Sequence, residues 1–470
     1  MSKNIVIKKL KNLVSLENVP THKSFLIDYE NVLNPAQYQA VSSIEGEYLL
    51  IAGAGTGKTR TLVYRVARLI ELGIEPKSIL LLTFTRKAAQ EMMSRASLLL
   101  DARCSKINGG TFHSFANITL RKYAKVLDFD PSFTILDQGD AEDIINLIRA
   151  ELKLNQSDKR FPKKETIYKV FSLSVNTEKS IESIIHSDYP HFKDHIQSLL
   201  LIFEKFNQYK IKNNLLDYDD LLIQLNRFLE MDNDSSKQFL NSIKFVMVDE
   251  YQDTNHIQAR IVKNLSKFNH NVMVVGDDSQ SIYSFRGADI SNILDFPKVF
   301  NNAEIIKLEE NYRSTQSILD FTNYIIKQSF YKFDKSLYTK KNAGDLPVII
   351  AAKNENMQSR FIVEQILELR ESGVELNDIA VLFRSSYFAF DLELELAKAN
   401  IPFVKFGGIK FIDTAHVKDI LAFLRISANN KDFVSWFRVL LLHEGIGPKK
   451  AQSIMNDVTS LQLNVKVHPE

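Results

Sequence analysis

The chain has 470 residues, of which 45% are hydrophobic and 25% are charged. This length exceeds one ordinary domain, and the composition excludes a disordered or fibrous chain and is typical of folded domains with apolar cores. The 59 basic and 57 acidic side chains give a formal net charge of +2. A surface for nucleic acid or another polyanion therefore has to come from local arrangement.

One cysteine, Cys104, excludes an internal disulfide framework and is interpreted as a passive, half-buried thiol. No stretch approaches the ~20 consecutive apolar residues that a membrane-spanning helix requires. Residues 1–30 carry charges scattered among their apolar positions and lack the apolar core of a signal peptide. A cytoplasmic protein that does not interact with membranes is therefore expected.

Short apolar runs typical of buried parallel strands occur in two groups. The first group lies at 48–52, 79–83, 245–248 and 272–275, and the second at 305–308, 348–352 and 379–383. Residues 140–275 contain no glycine, and apolar side chains recur at helical spacing within 140–154 and 198–209. The sequence therefore predicts an α/β domain interrupted by a helical insertion and followed by a second α/β unit.

A glycine-rich loop follows the first predicted strand. It consists of Ala52, Gly53, Ala54, Gly55, Thr56, Gly57, Lys58 and Thr59, and Arg60 begins an apolar-striped helix after it. Strand, glycine loop and helix form the context of a P-loop, in which backbone N–H groups surround phosphate oxygens. Lys58 is expected to reach the β- and γ-phosphates of ATP and the Thr59 hydroxyl to bind Mg²⁺. Arg60 is included in the expected nucleotide-binding set.

Two acidic residues, Asp249 and Glu250, follow the predicted strand 245–248 at once. An aspartate at the end of a strand next to a P-loop holds magnesium, and a glutamate beside it can orient and deprotonate the attacking water. Lys58 and Asp249 are much farther apart in the sequence than one or two βα units. This separation independently requires an insertion between them.

Gln280 follows the predicted strand 272–275, where an amide can sense a γ-phosphate. Tyr283, Phe285 and Arg286 come directly after it. Two aromatic rings and an arginine beyond a nucleotide sensor favour stacking on nucleic-acid bases next to the ATP site. The alternative for both rings is burial in the core.

With these motifs in order, the sequence resembles the UvrD/Rep family of superfamily 1 DNA helicases. Further motifs of that family are matched at 33–41, 83–89, 110–115, 217–222 and 309–315. The resemblance implies that Gln37 reads the adenine edge, that Tyr312 stacks on the adenine and that Arg313 approaches the γ-phosphate. It also makes Glu250, Gln280, Arg313 and Lys58 the expected catalytic residues.

The same resemblance implies a DNA-binding surface. Its candidate residues are Phe84, Arg86, Thr111, His113, Tyr283, Phe285 and Arg286. Two of them depart from the family pattern, because Arg86 occurs where asparagine is common and Phe285 where tryptophan is frequent. Phenylalanine keeps an aromatic face for stacking.

The resemblance implies two RecA-like P-loop NTPase domains of α/β class, the first with a helical insertion and the second incomplete. The expected parts are an N-terminal extension at 1–30, a first RecA-like domain at 31–120 and 226–305, a helical insertion at 121–225, the first part of a second RecA-like domain at 306–408, and the start of a second helical insertion at 409–470. Two later family motifs are not found within 425–470. The segment 445–450 is equally consistent with a DNA-backbone loop and with a turn between helices.

The implied function is that of an ATP-dependent DNA helicase or translocase, which couples Mg-ATP hydrolysis to 3′-to-5′ movement on single-stranded DNA. The expected partners are single-stranded DNA or single-strand/double-strand junctions, and a second polypeptide carrying the missing motifs. The alternative is a truncated or split-gene module that binds ATP and DNA and has little helicase activity by itself.

Overall fold

The computed structural model describes residues 25–154, 161–406, 415–429, 432–447 and 450–455. Most of the predicted N-terminal extension, the end of the second helical insertion and part of the segment 445–450 therefore lie outside the described residues. No helix within those ranges is both long enough and apolar enough to cross a bilayer.

The strands are β1 (Glu47–Ala52), β2 (Ile79–Thr83), β3 (Asn108–Thr111), β4 (Thr134–Ile135), β5 (Leu215–Leu216), β6 (Phe245–Val248), β7 (Val272–Gly276) and β8 (Glu304–Leu308). The helices up to residue 242 are α1 (Tyr29–Val32), α2 (Pro35–Ser42), α3 (Lys58–Glu71), α4 (Arg86–Leu99), α5 (Phe112–Tyr123), α6 (Gln138–Glu151), α7 (Lys164–Thr177), α8 (Ile181–Asp188), α9 (Ile196–Lys212), α10 (Tyr218–Glu230) and α11 (Asp234–Ser242). The later helices are α12 (His256–Leu265), α13 (Ser291–Leu294), α14 (Phe296–Val299), α15 (Gln316–Lys327), α16 (Glu355–Glu371), α17 (Phe390–Lys398), α18 (Ala415–Ala428) and α19 (Phe433–Leu441).

Six strands form one parallel sheet in the order β3-β2-β6-β7-β1-β8. All residues of β2 and β7 are buried, as expected for parallel strands with helices on both faces. The strands β6, β7 and β1 are neighbours, so their carboxyl ends lie side by side at one edge of the sheet. The loops that follow these three strands carry the nucleotide-site candidates, and this edge therefore positions the site.

The two faces of the sheet have separate apolar cores. Leu49 and Ile51 of β1 pack with residues of α5, α10 and α12, whereas Leu50 and Ala52 pack with residues of α3 and α4. Each fully buried large aliphatic side chain contributes roughly 1.5–3 kcal/mol. Cys104 lies in the second of these cores and is fully buried, not half-buried as predicted.

The predicted helical insertion forms a lobe with its own core. Helices α6 to α9 share an apolar cluster that includes Ile144, Phe171 and Phe206, and the short β4–β5 pair lies at the base of the lobe. Helices α5 and α10 pack on the main sheet instead. The separately packed lobe is therefore narrower than the predicted range 121–225.

The second predicted group of strands differs most from the structure. Strand β8 was expected to open the second α/β unit, but it pairs in parallel with β1 and forms an edge of the first sheet. The prediction of strands at 348–352 and 379–383 is wrong, because these residues join no β-ladder within the described part of the chain. Parallel strands are stable only with partner strands and covered faces. Val348 and Ile349 have neither, and they are 78% and 84% exposed.

Helices α16 and α17 form a small core of their own, against which Ile379 and Phe383 are half-buried. Farther along, α18 and α19 pack together through a small apolar cluster. They dock on the first lobe through two ion pairs, Lys418 with Asp137 at 3.1 Å and Arg425 with Asp140.

Candidate nucleotide and DNA site

The glycines of the P-loop allow both an unusual backbone and close packing. Gly55 and Gly57 have φ angles of +79° and +88°, in the left-handed region that favours glycine. A Cβ atom on Gly55 would lie 2.7 Å from the Cβ atom of Arg313, and one on Gly53 would lie 2.6 Å from a methyl carbon of Leu337. The chain after β8 therefore packs directly on the loop, which only glycines permit.

The first turn of α3 supplies backbone N–H groups for an anion. Its N-cap residue is Gly57, which has no side chain to satisfy those groups. At the same place the Lys58 ammonium donates to a Glu250 carboxylate oxygen at 2.6 Å. The structure therefore joins the P-loop lysine to the predicted catalytic glutamate.

The acidic side chains after β6, which are Asp249, Glu250 and Asp253, carry more negative charge than the neighbouring Lys58 can balance. Burial, and then the charge of Glu250, raises the pKa of Asp249 to about 7 against the opposing effect of Lys58. Burial is also the main cause that raises the pKa of Asp253 to about 7. One Asp253 oxygen is buried without a hydrogen-bond partner in the described structure. This excess of buried carboxylate favours a cation.

The donor set suits magnesium held together with phosphates. Within the described ranges no group of three or more His, Cys, Asp or Glu residues could hold a metal ion alone. Mg²⁺ usually keeps several waters and takes only one or two carboxylates besides substrate phosphates. Two residues could provide such ligands: Asp249, which follows β6, and Thr59, which is the second residue of α3.

Glu250 has a backbone conformation that side chains seldom adopt. Its φ angle is +52°, in the left-handed region, which costs a non-glycine residue about 1–3 kcal/mol. The surroundings hold it there: Lys58 and Gln252 both donate to its carboxylate, and its own N–H donates to Asp249 at 3.0 Å. Such fixed strain is typical of functional sites.

Gln280 is held by Asp277, which accepts a hydrogen bond from its side-chain amide at 2.6 Å. Gln252, which we did not predict as a site residue, joins this pair to Glu250. The Gln252 side-chain oxygen accepts from the Asp277 N–H at 3.0 Å, and its NH₂ group donates to Glu250 at 2.9 Å. The available signal was its position two residues after Glu250, in a run of polar residues that follows a buried strand.

Gln37 and Tyr312 both contact the P-loop. Gln37 is buried and its amide donates to the Thr56 carbonyl at 3.0 Å, so it supports the loop directly. Tyr312 is half-exposed, its backbone N–H donates to the Gly55 carbonyl, and its hydroxyl accepts from Asn34 at 2.9 Å. The structure thus brings the two predicted adenine contacts to one loop.

The two predicted nucleotide-site arginines have different surroundings. Arg60 donates to the Val32 carbonyl at 2.8 Å and lies over the ring of Tyr64, so its guanidinium is engaged at the end of α1. Arg313 is exposed and packs its Cβ against the P-loop. Asn311, which was missed, ties this segment to the loop by donating to the Ala54 carbonyl at 2.5 Å.

Three aromatic rings form a strip at the same edge of the sheet. The ring centroids of Phe84 and Tyr283 are 4.9 Å apart, and those of Tyr283 and Phe285 are 6.0 Å apart. The Arg286 guanidinium lies 5.8 Å and 5.5 Å from the latter two centroids. Phe285 is 61% exposed, so the alternative of core burial does not apply to it, whereas Tyr283 is half-buried. We call Phe84, Tyr283 and Phe285 the aromatic strip.

The remaining DNA candidates follow β2 and β3. Arg86 is exposed at the first residue of α4. The Thr111 hydroxyl caps α5 by accepting from the Ser114 N–H at 3.2 Å. His113 lies edge-on to Tyr218, and burial lowers its pKa to about 4, so its ring is neutral at neutral pH. A contact from His113 to DNA is therefore one of a neutral ring and not of a cation.

Fold and site together define a P-loop nucleotide-binding protein with an exposed aromatic strip beside the nucleotide site. Residues 33–301 match the UvrD/REP helicase N-terminal domain, and residues 306–468 match the UvrD-like helicase C-terminal domain. Because these matches cover most of the chain, the protein belongs to the UvrD/REP-like helicase family, as the sequence motifs indicated.

Curated relatives agree with this assignment. The chain is 35% identical over 438 residues to the ATP-dependent DNA helicase PcrA of Staphylococcus epidermidis, which is 93% of this chain and 59% of the relative. It is 34% identical over 441 residues to the protein of the same name from Staphylococcus aureus, with the same two shares. The chain thus spans about three fifths of the length of the curated relatives it matches.

Proposed function

We propose that this chain binds Mg-ATP and single-stranded DNA and couples ATP hydrolysis to 3′-to-5′ movement along the DNA, as a helicase or translocase of the cytoplasm. The observation that carries the proposal is the single loop after β7, which holds both Gln280 and the rings of Tyr283 and Phe285. A change at a γ-phosphate near Gln280 is therefore transmitted over a few residues of backbone to the aromatic strip. The names of the curated relatives support the same reading.

In the proposed reaction, the N–H groups of the P-loop and of the first turn of α3 bind the phosphates. A triphosphate competes with Glu250 for the Lys58 ammonium, so its binding frees the Glu250 carboxylate to accept a proton from the attacking water. Thr59 and Asp249 hold Mg²⁺, which when bound neutralises charge on the phosphates. Gln280 senses the γ-phosphate, and Arg313 stabilises the charge that develops during its transfer.

In this proposal the adenine contacts Tyr312 and Gln37, the two residues that adjoin the P-loop. Tyr312 is half-exposed and presents a ring face for stacking. Gln37 reads the adenine edge, but its amide already bonds to Thr56, so it also transmits the position of the base to the loop. The hydrogen bond from Asn34 to Tyr312 joins the start of α2, the helix that carries Gln37, to Tyr312.

The DNA partner is single-stranded DNA, alone or at a junction with duplex. Stacking on the aromatic strip needs unpaired bases, and it tolerates any sequence because every base has an aromatic face. Arg286 and Arg86 are exposed beside the strip and supply charge for phosphate contacts. Thr111 and His113 extend the same surface along the ends of β2 and β3.

The test is ATP hydrolysis by the purified chain with Mg²⁺, measured with and without a single-stranded oligonucleotide. The proposal expects hydrolysis that rises with oligonucleotide concentration and saturates. A Glu250→Gln variant serves as the control, because it removes the general base and keeps the hydrogen-bonding shape. A chain that binds ATP and DNA but shows no DNA-stimulated hydrolysis would contradict the turnover part of the proposal.

A second candidate function is an ATP- and DNA-binding module that acts with another polypeptide. The observation that favours it is the exposure of apolar side chains in the second unit, namely Leu346, Val348, Ile349, Val404 and Phe406, which are 77–93% exposed. Segments of this kind fit β-strands that need neighbours. In that case the second polypeptide supplies neighbouring strands for these segments, and hydrolysis appears only when both polypeptides are mixed.

A further inference from the structure

A lysine outside every predicted motif is buried at the nucleotide edge. Lys335 lies between α15 and α16, and its ammonium donates to Asp277 at 2.6 Å and also to Asp278. The side chains of these three residues are at most 4% exposed. Removing a lysine from water is costly unless its partners compensate, so this position is strongly determined by the two aspartates.

Asp277 is the residue that connects the lysine to Gln280. One Asp277 oxygen accepts from Lys335, and the other accepts from the Gln280 amide at 2.6 Å. Burial alone would raise the pKa of Asp277, but the charge and hydrogen bond of Lys335, with further hydrogen bonds from Gln280 and Ser279, keep it below its ordinary value. The carboxylate therefore stays ionised and fixes both partners.

Through its backbone N–H, Asp277 is also connected to the proposed general base. The backbone N–H of Asp277 donates to Gln252, Gln252 donates to Glu250, and Glu250 accepts from Lys58. A hydrogen-bonded chain thus runs from Lys58 to Lys335 through buried or half-buried groups. Lys335 is its end on the side of the second unit.

The segment around Lys335 also touches the P-loop. Leu337 packs against Gly53 so closely that a Cβ there would lie 2.6 Å from it. The Phe333 N–H donates to Asp278 at 3.3 Å. The Asn311 N–H donates to the Tyr338 carbonyl at 2.7 Å, and the Tyr338 N–H donates to the Glu309 carbonyl just after β8 at 3.1 Å. Residues 333–338 therefore contact both the P-loop and the aspartates Asp277 and Asp278 that follow β7.

We propose that Lys335 is a positioning residue, which through Asp277 holds the Gln280 amide towards the γ-phosphate and so couples the segment 333–338 to the presence of that phosphate. The inference rests on the proposed function, because the sensor role of Gln280 was assigned there. A lysine that only balanced two buried negative charges would affect stability and leave the distinction between tri- and diphosphate unchanged.

The distinguishing measurement is the ratio of the affinities for ATPγS and ADP, each with Mg²⁺, by titration calorimetry. It requires no turnover. Lys335→Met should lower this ratio about tenfold, comparable to the loss of one hydrogen bond to a charged group. The affinity for ADP should stay within about twofold, since the P-loop itself is intact. Lys335→Arg, which keeps the charge, should restore the ratio.

A double-mutant cycle shows whether Lys335 acts through Gln280. Gln280→Ala should lower the ratio by itself, and adding Lys335→Met to Gln280→Ala should lower it no further. Full additivity of the two losses would overturn the proposal. So would a folded Lys335→Met variant with the same ATPγS/ADP ratio as the unmodified chain.

A matched control is available in the helical lobe. Lys210 is 7% exposed and pairs with Asp217 and Asp220 at 2.7 Å each, so it is a buried lysine between two aspartates like Lys335. Lys210→Met should lower the melting temperature and leave the ATPγS/ADP ratio unchanged; a changed ratio would mean that the assay reports stability, and would overturn the inference.

If Lys335→Met does not fold, the pair Lys335→Met with Asp278→Asn removes one buried charge of each sign and is measured in the same way. A lowered ratio in that folded double variant supports the inference, and an unchanged ratio overturns it. An unmodified chain that binds neither nucleotide would instead contradict the proposed function, and the inference with it.

Discussion

Strand β2 and the segment 348–352 have similar sequences and opposite surroundings. Leu80 in β2 is 1% exposed between two neighbouring strands, whereas Val348 is 78% exposed and pairs with no strand within the described residues. Both segments are short, mainly aliphatic runs, which is the pattern of a buried parallel strand. The difference shows that a parallel strand is determined by distant partners and covering helices more than by its own residues.

The proposed functional sites are distributed between the two regions in the same uneven way. The P-loop, the acidic strand end and the aromatic strip all lie at the formed sheet, so the proposed binding of nucleotide and DNA depends on the packed region. Arg313 and Tyr312 come from the chain just after β8 and reach back to it. Nucleotide binding is therefore expected of the first region, and the proposed movement on DNA is expected to depend on the second region as well.

The largest expected effect concerns stability. Leu80→Ala should lower the free energy of unfolding by about 2–5 kcal/mol, because it leaves a cavity among buried strands. Val348→Ala should change it by no more than about 0.5 kcal/mol, because the side chain is exposed. Urea unfolding followed by circular dichroism measures both. Equal losses would mean that residue 348 is buried in solution, and the contrast between the two regions would fail.

The next effect concerns the nucleotide. Lys58→Ala should weaken Mg-ATP binding about 10–100-fold, because it removes a charged hydrogen-bond donor to the phosphates. Fluorescence of a labelled ATP analogue measures the affinity, and Lys125→Ala, at an exposed lysine away from the loop, is the control. Unchanged affinity in Lys58→Ala would contradict the assignment of the loop.

A smaller effect is expected at the aromatic strip. Phe285→Ala should weaken single-stranded DNA binding by about 1–3 kcal/mol, because one stacking surface is lost. Phe330 is 98% exposed and does not belong to the aromatic strip, so Phe330→Ala is the control for the loss of an exposed ring. Fluorescence anisotropy of a labelled oligonucleotide at fixed salt measures both variants. Equal losses would show that the strip has no special role.

The smallest effect is one of pH. The raised pKa of Asp249, about 7, means that the folded protein keeps a proton which the unfolded chain releases near pH 4. The stability that this group contributes is complete below about pH 4 and is lost as the pH rises through about 7. The melting temperature of Asp249→Asn, taken relative to that of the unmodified chain, should therefore rise between about pH 4 and pH 7. Parallel curves for the two proteins would exclude Asp249 as the cause.

The sequence was sufficient for features that depend on local pattern. The bounds of β2 and β6 agree with the predicted 79–83 and 245–248, because a buried parallel strand is a continuous apolar run between polar ends. The helix after the P-loop begins at Lys58, two residues before its predicted start. The acidic strand was expected next to the P-loop strand, but β7 lies between β6 and β1. The Lys58–Glu250 ion pair still brings the ends of the two elements together.

Features that depend on partners distant in the sequence could not be predicted. Strand β8 has the pattern of any buried strand, and only its pairing with β1 assigns it to the first sheet. The burial of Lys335 gave no local signal, because lysine is ordinarily exposed and its partners Asp277 and Asp278 belong to another element. The neutral state of His113 likewise results from tertiary burial.

The proposed nucleotide and DNA sites share one sheet edge and are proposed to be coupled through the loop after β7. The most direct measurement is the affinity of the chain for a single-stranded oligonucleotide with Mg²⁺ and either ATPγS or ADP. The two affinities should differ by about fivefold or more, and the oligonucleotide should change the ATPγS/ADP affinity ratio by the same factor. Equal oligonucleotide affinities with both nucleotides bound would contradict the proposed coupling.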